Sequence, residues 1–350
     1  MSIRDGAIEW GFKAFGATGL HRAAARFTQG LGAILMFHRV TPARADPFQP
    51  NRGLEITPEF LDLLLTQARA GGYDLVSLDE AIRRLGVGGP DTPFLALTFD
   101  DGYRDTAEIA APILARHSAP FTVYVTTGFA DRTARAWWVE MERSIARLDR
   151  VRLDLHDVAF DLPARDSAEK NAAFRTIYWA LRGGSEERLL YATGLLAQAA
   201  ALCPEALVAE LCLDWAGVRA LARHPLATIG AHTRRHPRLA KLAADDARAE
   251  IVDSRARLEG AIGRDVRHFA YPVGDPTSAG AREFAFAQEA GFTSAVTTRP
   301  GMLFAEHAHH LTALPRLSVN GQHQSWAALD ILLSGAPFFV WNRGRKLSVA

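Results

Sequence analysis

Short runs that are apolar throughout alternate along most of this chain with longer stretches whose apolar residues fall three or four apart. Gly32-Ala-Ile-Leu-Met-Phe37 is bounded by Gly and by His38-Arg39, the pattern of a strand buried on both faces. Similar runs predict strands at Tyr73 to Val76, Phe94 to Phe99, Phe121 to Val125, Ala227 to Gly230, Arg267 to Ala270 and Thr293 to Val296. Thr57-Pro58 supplies a hydroxyl cap and a first-turn proline for a helix with Phe60, Leu63 and Leu64 on its apolar stripe, and Gly71-Gly72 stops it. Leu78 to Leu85 and Thr106 to His117 read as further helices, and Asp214 caps one over Trp215 to Ala222. Repeated β/α alternation implies an α/β fold with a mostly parallel sheet or barrel.

The rhythm breaks between about residues 128 and 213. A hairpin pattern at Val151 to Leu162 precedes helical patterns near Ala168 to Leu181 and Glu186 to Leu202, so this region reads as a helical insertion or lid. One domain over residues 31–335 is expected, preceded by an amphipathic helical segment over residues 1–30 and followed by a tail over residues 336–350.

Composition narrows the partners. With 40 basic and 39 acidic residues the net charge is +1, which gives no global field for nucleic acid or an anionic membrane. Cys203 and Cys212 are too few for a disulfide framework or a thiolate metal site and are expected as buried free thiols. The first residues mix Asp5, Glu9 and Lys13 with Trp10, Phe12 and Phe15 and so lack the uninterrupted apolar centre of a secretory signal. No apolar run approaches the roughly 20 residues of a transmembrane helix. The expected compartment is the cytoplasm, with the N-terminal helix either docked on the domain or making a peripheral membrane contact.

Candidate chemistry gathers where the apolar runs end. In Ala96-Leu-Thr-Phe-Asp-Asp-Gly-Tyr-Arg-Asp105 two adjacent carboxylates follow a strand, and they can serve different partners only if the backbone turns there, as Gly102 permits. Ile229-Gly-Ala-His-Thr-Arg-Arg-His-Pro237 places His232 and His236 directly after another strand, with Pro237 excluding a continuous helix through them. Two imidazoles and one carboxylate make an open ligand set for a divalent metal, and Asp101 is the natural third ligand because both segments leave the same end of parallel strands. A third stretch, Arg267-His-Phe-Ala-Tyr-Pro-Val-Gly274, reads by itself as a strand and a tight turn.

In this order and spacing the three stretches resemble the polysaccharide deacetylase family, carbohydrate esterase family 4, also called the nodulation-B homology domain. The resemblance runs from about Gly32 to Arg316, apart from most of the insertion. It implies a distorted, incomplete (β/α) barrel with its site at the C-terminal ends of the strands. It also implies removal of N-acetyl groups from N-acetylglucosamine-containing oligo- or polysaccharide, such as a chitooligosaccharide, by a hydrolase that binds a divalent metal, Zn²⁺ before other transition metals. Asp100 carries over as catalytic base, and Asp101, His232 and His236 as metal ligands. The Tyr103 backbone N–H is placed to donate to an oxyanion, and Tyr271 and Pro272 to contact substrate. Two other readings stay open: a metal hydrolase of a non-sugar linear or cyclic amide on the same fold, and a non-catalytic carbohydrate-binding protein.

The chain also departs from the family's commonest pattern. Ala270 stands where an Arg would pair with the base, and no late Leu-x-His motif is evident. Met36-Phe37-His38-Arg39 looks like the early segment that supplies the general acid in some bacterial relatives, which assigns that role to His38 and leaves His309 and His310 as reserves. Arg316 is a candidate replacement beside Asp100, although an arginine near a strand end also serves in surface ion pairs. Trp137, Trp138 and Trp215 carry faces suited to sugar rings. Trp215 is expected to fasten its helix, and the Trp137-Trp138 pair, taken as strand residues, is expected to turn one ring toward the cleft.

Overall fold

The computed structural model describes residues 19–87, 92–155 and 157–349. Its frame is eight parallel strands: β1 (Gly32–Phe37), β2 (Asp74–Val76), β3 (Phe94–Phe99), β4 (Phe121–Val125), β5 (Ala227–Ala231), β6 (His268–Ala270), β7 (Ser294–Pro300) and β8 (Leu314–Ser318). β3 through β8 pair in chain order, and β1 closes the ring by pairing β8 through Leu35↔Leu317 and β3 through Gly32↔Phe94. The result is a seven-stranded barrel, with β2 attached to the first half of β3.

Strand alternation sorts the core into two layers. Leu95, Leu97 and Phe99 face outward into the layer between barrel and helices, joined by Leu35, Phe37 and Phe121. Ile34, Phe94, Ala96, Tyr124, Ala270, Val296 and Leu314 form a separate interior cluster. On β3 the inward parity that passes through Phe94, Ala96 and Thr98 reaches Asp100, so the first carboxylate of the doublet is aimed at the barrel axis.

The predicted helix over Pro58–Ala70 forms with Thr57 accepting from the Phe60 N–H and Gly71 following. The insertion contains the expected hairpin, Arg150–Asp154 against Ala159–Pro163, and helices Ser167–Arg182 and Glu186–Ala199. Its apolar core includes Tyr103, Phe129 and Trp138 and so extends to the mouth of the barrel.

Two expectations are corrected. Trp137 and Trp138 open a helix, Trp137–Arg147, and both are buried, because helical spacing lets neighbouring residues pack against different parts of one core. Cys203 is exposed, since it lies in the turn between helix Glu186–Ala199 and helix Pro204–Leu211, while Cys212 is buried. Trp215 does anchor its helix, donating to Asp131 at 2.7 Å beneath the Arg257 guanidinium. Of the expected amphipathic segment over residues 1–30, helix Leu20–Thr28 is seen, and residues 1–18 lie outside the described residues. The expected tail begins with a helix, Ala336–Trp341. No single helix among the described residues is long and apolar enough to cross a membrane.

Candidate active site and metal centre

Strand β3 ends at Phe99, and the chain turns at once through Asp101 and Gly102, with φ of 72° and 71°. Glycine adopts such a backbone freely, but an aspartate does so at a cost of about 1 kcal/mol or more. The turn separates the two carboxylates. Asp100 continues inward along the strand direction, and Asp101 swings toward the loop after β5.

That loop carries His232 and His236, and it is held at many points. Thr233 and His236 both have positive φ, at 62° and 60°. The Thr126 hydroxyl donates to His232 O at 2.9 Å, and the Thr127 and Gly128 amides donate to Thr233 O and Arg234 O at 3.1 and 2.7 Å. A side chain at Gly128 would collide with Arg234 O, so only glycine lets the insertion's first turn lie this close. Beneath the loop, the buried Glu250 carboxylate accepts from the Arg234 and Arg235 amides at 2.9 Å each and from Arg235 Nε at 2.6 Å. Charge-assisted bonds of this kind hold a strained loop firmly.

The three expected ligands converge. Asp101 Oδ1 lies 3.3 Å from His232 Nε2 and 3.2 Å from His236 Nε2, and all three residues are buried. One donor atom from each lies within 4.8 Å of the others. His232 Nδ1 donates to Ala270 O at 2.7 Å, and because a carbonyl only accepts, the lone pair is left on Nε2, facing the carboxylate. Asp101 Oδ1 has no hydrogen-bond partner among the described residues. Lone pairs converging on a buried, unpartnered anionic oxygen fit a divalent cation. Burial raises the Asp101 pKa, yet the two imidazoles beside it, His236 foremost, outweigh burial and hold the carboxyl well below the usual range. His236 is itself fixed between Trp138 and Phe129, with ring centroids 4.6 and 6.1 Å away.

Asp100 has a different partner. Arg316, third residue of β8, points into the barrel and donates through both terminal nitrogens to the two Asp100 oxygens at 2.7 Å each. It also donates to Thr98 Oγ1 and Thr297 O, and it is fully buried. The sequence motif lost its arginine at Ala270, and that small residue lies in the interior cluster, where the guanidinium from β8 does the pairing. Burial would raise the Asp100 pKa, but the Arg316 charge and hydrogen bonds bring it below the ordinary value.

His38 follows β1, with Nε2 3.9 Å from Asp100 Oδ2. Burial lowers its pKa from 6.5, against the pull of Asp100 and Asp101. Beside it, Arg39 bonds Asp105 at 2.8 Å and Glu55 at 3.1 Å, tying the segment after β1 to the segment after β3.

The remaining candidates divide. Tyr103 is fully buried, its hydroxyl accepting at 3.1 Å from Nε1 of Trp138, the ring that packs on His236. Tyr271 does not present its ring to a substrate: it is buried against Phe269 and Phe284, donating to Thr312 O at 2.8 Å, because its side chain points outward to the helix layer. Pro272 is buried in the turn that follows. His309 and His310 are exposed in a segment that runs back past the start of β1, where Leu303 pairs with Gly32, and so stand at the end of the barrel away from His38. Sequence reasoning missed Trp138 as a wall of the metal centre and Glu250 altogether. A buried acid on a helix opposite a loop with two free amides leaves no local pattern to read.

A family model described as polysaccharide deacetylase matches residues 88–295, more than half of the chain. Among solved structures, the Streptococcus pyogenes deacetylase PplD in complex with acetate is 19% identical with a TM-score of 0.57, covering 86% of this chain and 97% of that one. IcaB from Ammonifex degensii is 17% identical with a TM-score of 0.55, covering 87% and 98%. The polysaccharide deacetylase BA0330 of Bacillus anthracis, assigned as putative, is 16% identical with a TM-score of 0.54, covering 86% and 68%. Likeness at these identities establishes the barrel fold. No curated protein sequence matches the chain.

Proposed function

The chain belongs to the polysaccharide deacetylase family, and from that premise we propose that it hydrolyses the N-acetyl groups of N-acetylglucosamine-containing oligo- or polysaccharide in a metal-dependent reaction. The observation that carries this reading is the pairing of a carboxylate clamped by Arg316 with an unsatisfied Asp-His-His cluster one residue away. Such an arrangement separates a base from a metal site within one turn.

Asp101, His232 and His236 would hold a divalent ion, assigned as zinc from its two-imidazole, one-carboxylate donor set, which when bound acidifies water and polarises the acetyl carbonyl. Asp100 accepts the proton of the attacking water. Arg316 keeps it ionised before attack and fixes its plane, so that one rotamer is presented to the reacting centre. The Tyr103 amide, at the turn that carries Asp101, is the donor assigned to the developing oxyanion.

His38 protonates the departing amine. Its lowered pKa means that it enters the cycle neutral and takes up a proton during turnover, with Asp100 as the nearest source. The 3.9 Å separation must close by about 1 Å for direct transfer, a tightening common when substrate binds.

Acetate release from N-acetylglucosamine oligomers, peptidoglycan fragments and simple amides, with and without a chelator, tests the proposal. The expected result is release from a glycan that chelation abolishes and zinc restores. Turnover of a non-sugar amide with no acetate from any glycan would overturn the substrate class, and turnover indifferent to chelator would overturn the metal dependence.

A further inference from the structure

The N-terminal end of the barrel, away from the metal ligands, carries a second surface with its own chemistry. Helices Leu20–Thr28 and Ala336–Trp341 pack on each other there. Thr28 donates its hydroxyl to Ser334 O at 2.6 Å, and Gly335 lies so close to the Thr28 carbonyl that any Cβ would collide with it. Leu20, Ala23 and Phe27 recur on one face of the first helix and all are exposed, Phe27 to 75%, while His21 and Thr28 face inward. On the second helix Phe339, Val340 and Trp341 are exposed, Val340 to 68%. Half of the ten large exposed hydrophobics among the described residues therefore sit on two short helices that touch. Scattered exposure needs no explanation, but this concentration does.

Charge is segregated to the same place. The chain as a whole is balanced, yet residues 19–30 and 319–349 contain five basic side chains, Arg22, Arg26, Arg343, Arg345 and Lys346, against the single acid Asp330. All five are exposed. Arg22 reaches Asp330 at 3.3 Å, and the other four make no ion pair among the described residues.

We propose that this face docks on an anionic lipid bilayer, with Phe27 and Val340 entering the interfacial region and the basic side chains meeting lipid phosphates. Aromatic and aliphatic side chains ringed by arginine and lysine are what such an interface favours. Charge also argues against the other occupants. A second copy would set one basic face against another, and residues 1–18 carry Arg4 and Lys13 against Asp5 and Glu9, no net complement to it. Docked this way, the protein keeps its catalytic mouth on the side away from the bilayer.

Flotation of the full chain with vesicles of phosphatidylcholine alone, and of phosphatidylcholine mixed with phosphatidylglycerol, tests the assignment. Binding is expected to the mixed vesicles only and is expected to weaken as salt rises. Two variants, Arg343→Glu with Arg345→Glu and Lys346→Glu, and Phe27→Ser with Val340→Ser, should each lower the partition coefficient about tenfold or more. Both should keep the wild-type melting temperature and turnover of soluble substrate, since every altered side chain is exposed and remote from the metal centre. Equal binding to both vesicle types, absence of binding, or unaltered binding by both variants would overturn the proposal. So would a concentration-dependent dimer dispersed by Val340→Ser, or binding that appears only when residues 1–18 are deleted, because each would name a different occupant.

Discussion

Arg316 gives Asp100 two hydrogen bonds of 2.7 Å, whereas Asp101 Oδ1 faces imidazole nitrogens at 3.2 and 3.3 Å and has no hydrogen-bond partner among the described residues. Both carboxylates are buried, and a buried carboxylate requires a compensating cation. On the Asp100 side the chain supplies that cation from its own last barrel strand. On the Asp101 side it supplies electron pairs, the donor set of the proposed metal site. The positive φ at Asp101 is what allows consecutive identical residues to reach such different surroundings.

The sharpest way to break this contrast is to remove each carboxylate in turn. Asp101→Ala should lose metal under limiting supply and lower turnover by more than about 10⁴-fold. Asp100→Asn should keep metal while turnover falls by about 10³-fold, and its melting temperature should drop because Arg316 is left buried without its counter-charge. Elemental analysis beside acetate release separates the two outcomes, and full metal occupancy in Asp101→Ala would erase the distinction between the halves.

A smaller effect is expected at His38, which approaches the Asp100 half. His38→Ala should retain metal and lose about 10²-fold on an amide, whose amine leaves only after protonation, but much less on an activated aryl ester. Equal losses on the two substrates, or loss of metal, would make His38 structural or a ligand.

The smallest effect sharpens the Asp101 half. Glu250 touches no candidate ligand but clamps the amides of Arg234 and Arg235 between the two histidines. Glu250→Gln leaves an acceptor in place but cannot keep both amides and Arg235 Nε satisfied as an anion does. Metal affinity measured by titration calorimetry should weaken about tenfold, with turnover at saturating metal nearly unchanged. A change in turnover without a change in affinity would show that the clamp serves something other than ligand placement.

Much of this was legible in residue order because strand ends gather at one end of a parallel barrel. An apolar run ending in Asp100-Asp101 and another ending in His232 must bring those residues together once the alternation is read correctly. β1, β3 and β4 match their apolar runs end to end, since strands buried on both faces are nearly all apolar. What remained illegible depends on geometry across the barrel. Whether Arg316 pointed inward could not be told from Leu-Pro-Arg-Leu-Ser, where a strand with a surface arginine would read the same. The Trp137-Trp138 pair suits a strand or a helix start equally well, because two adjacent large apolar residues carry no period of their own, and the pair opens helix Trp137–Arg147. Tyr271 fell to the outer layer by parity, one residue beyond the inward-facing Ala270.

Because Asp100 is neutralised by a residue 216 positions later, the order in which the chain is synthesised matters. β3 emerges early, long before β8, and until β8 docks between β7 and β1 the doublet is two carboxylates at the rim of an open sheet. Closing the ring joins its first strand to its last, a contact of very high sequence separation and a slow one to form. The Arg316-neutralised Asp100 carboxylate and the finished barrel are thus completed by the same event, so a chain truncated ahead of Leu314 has neither.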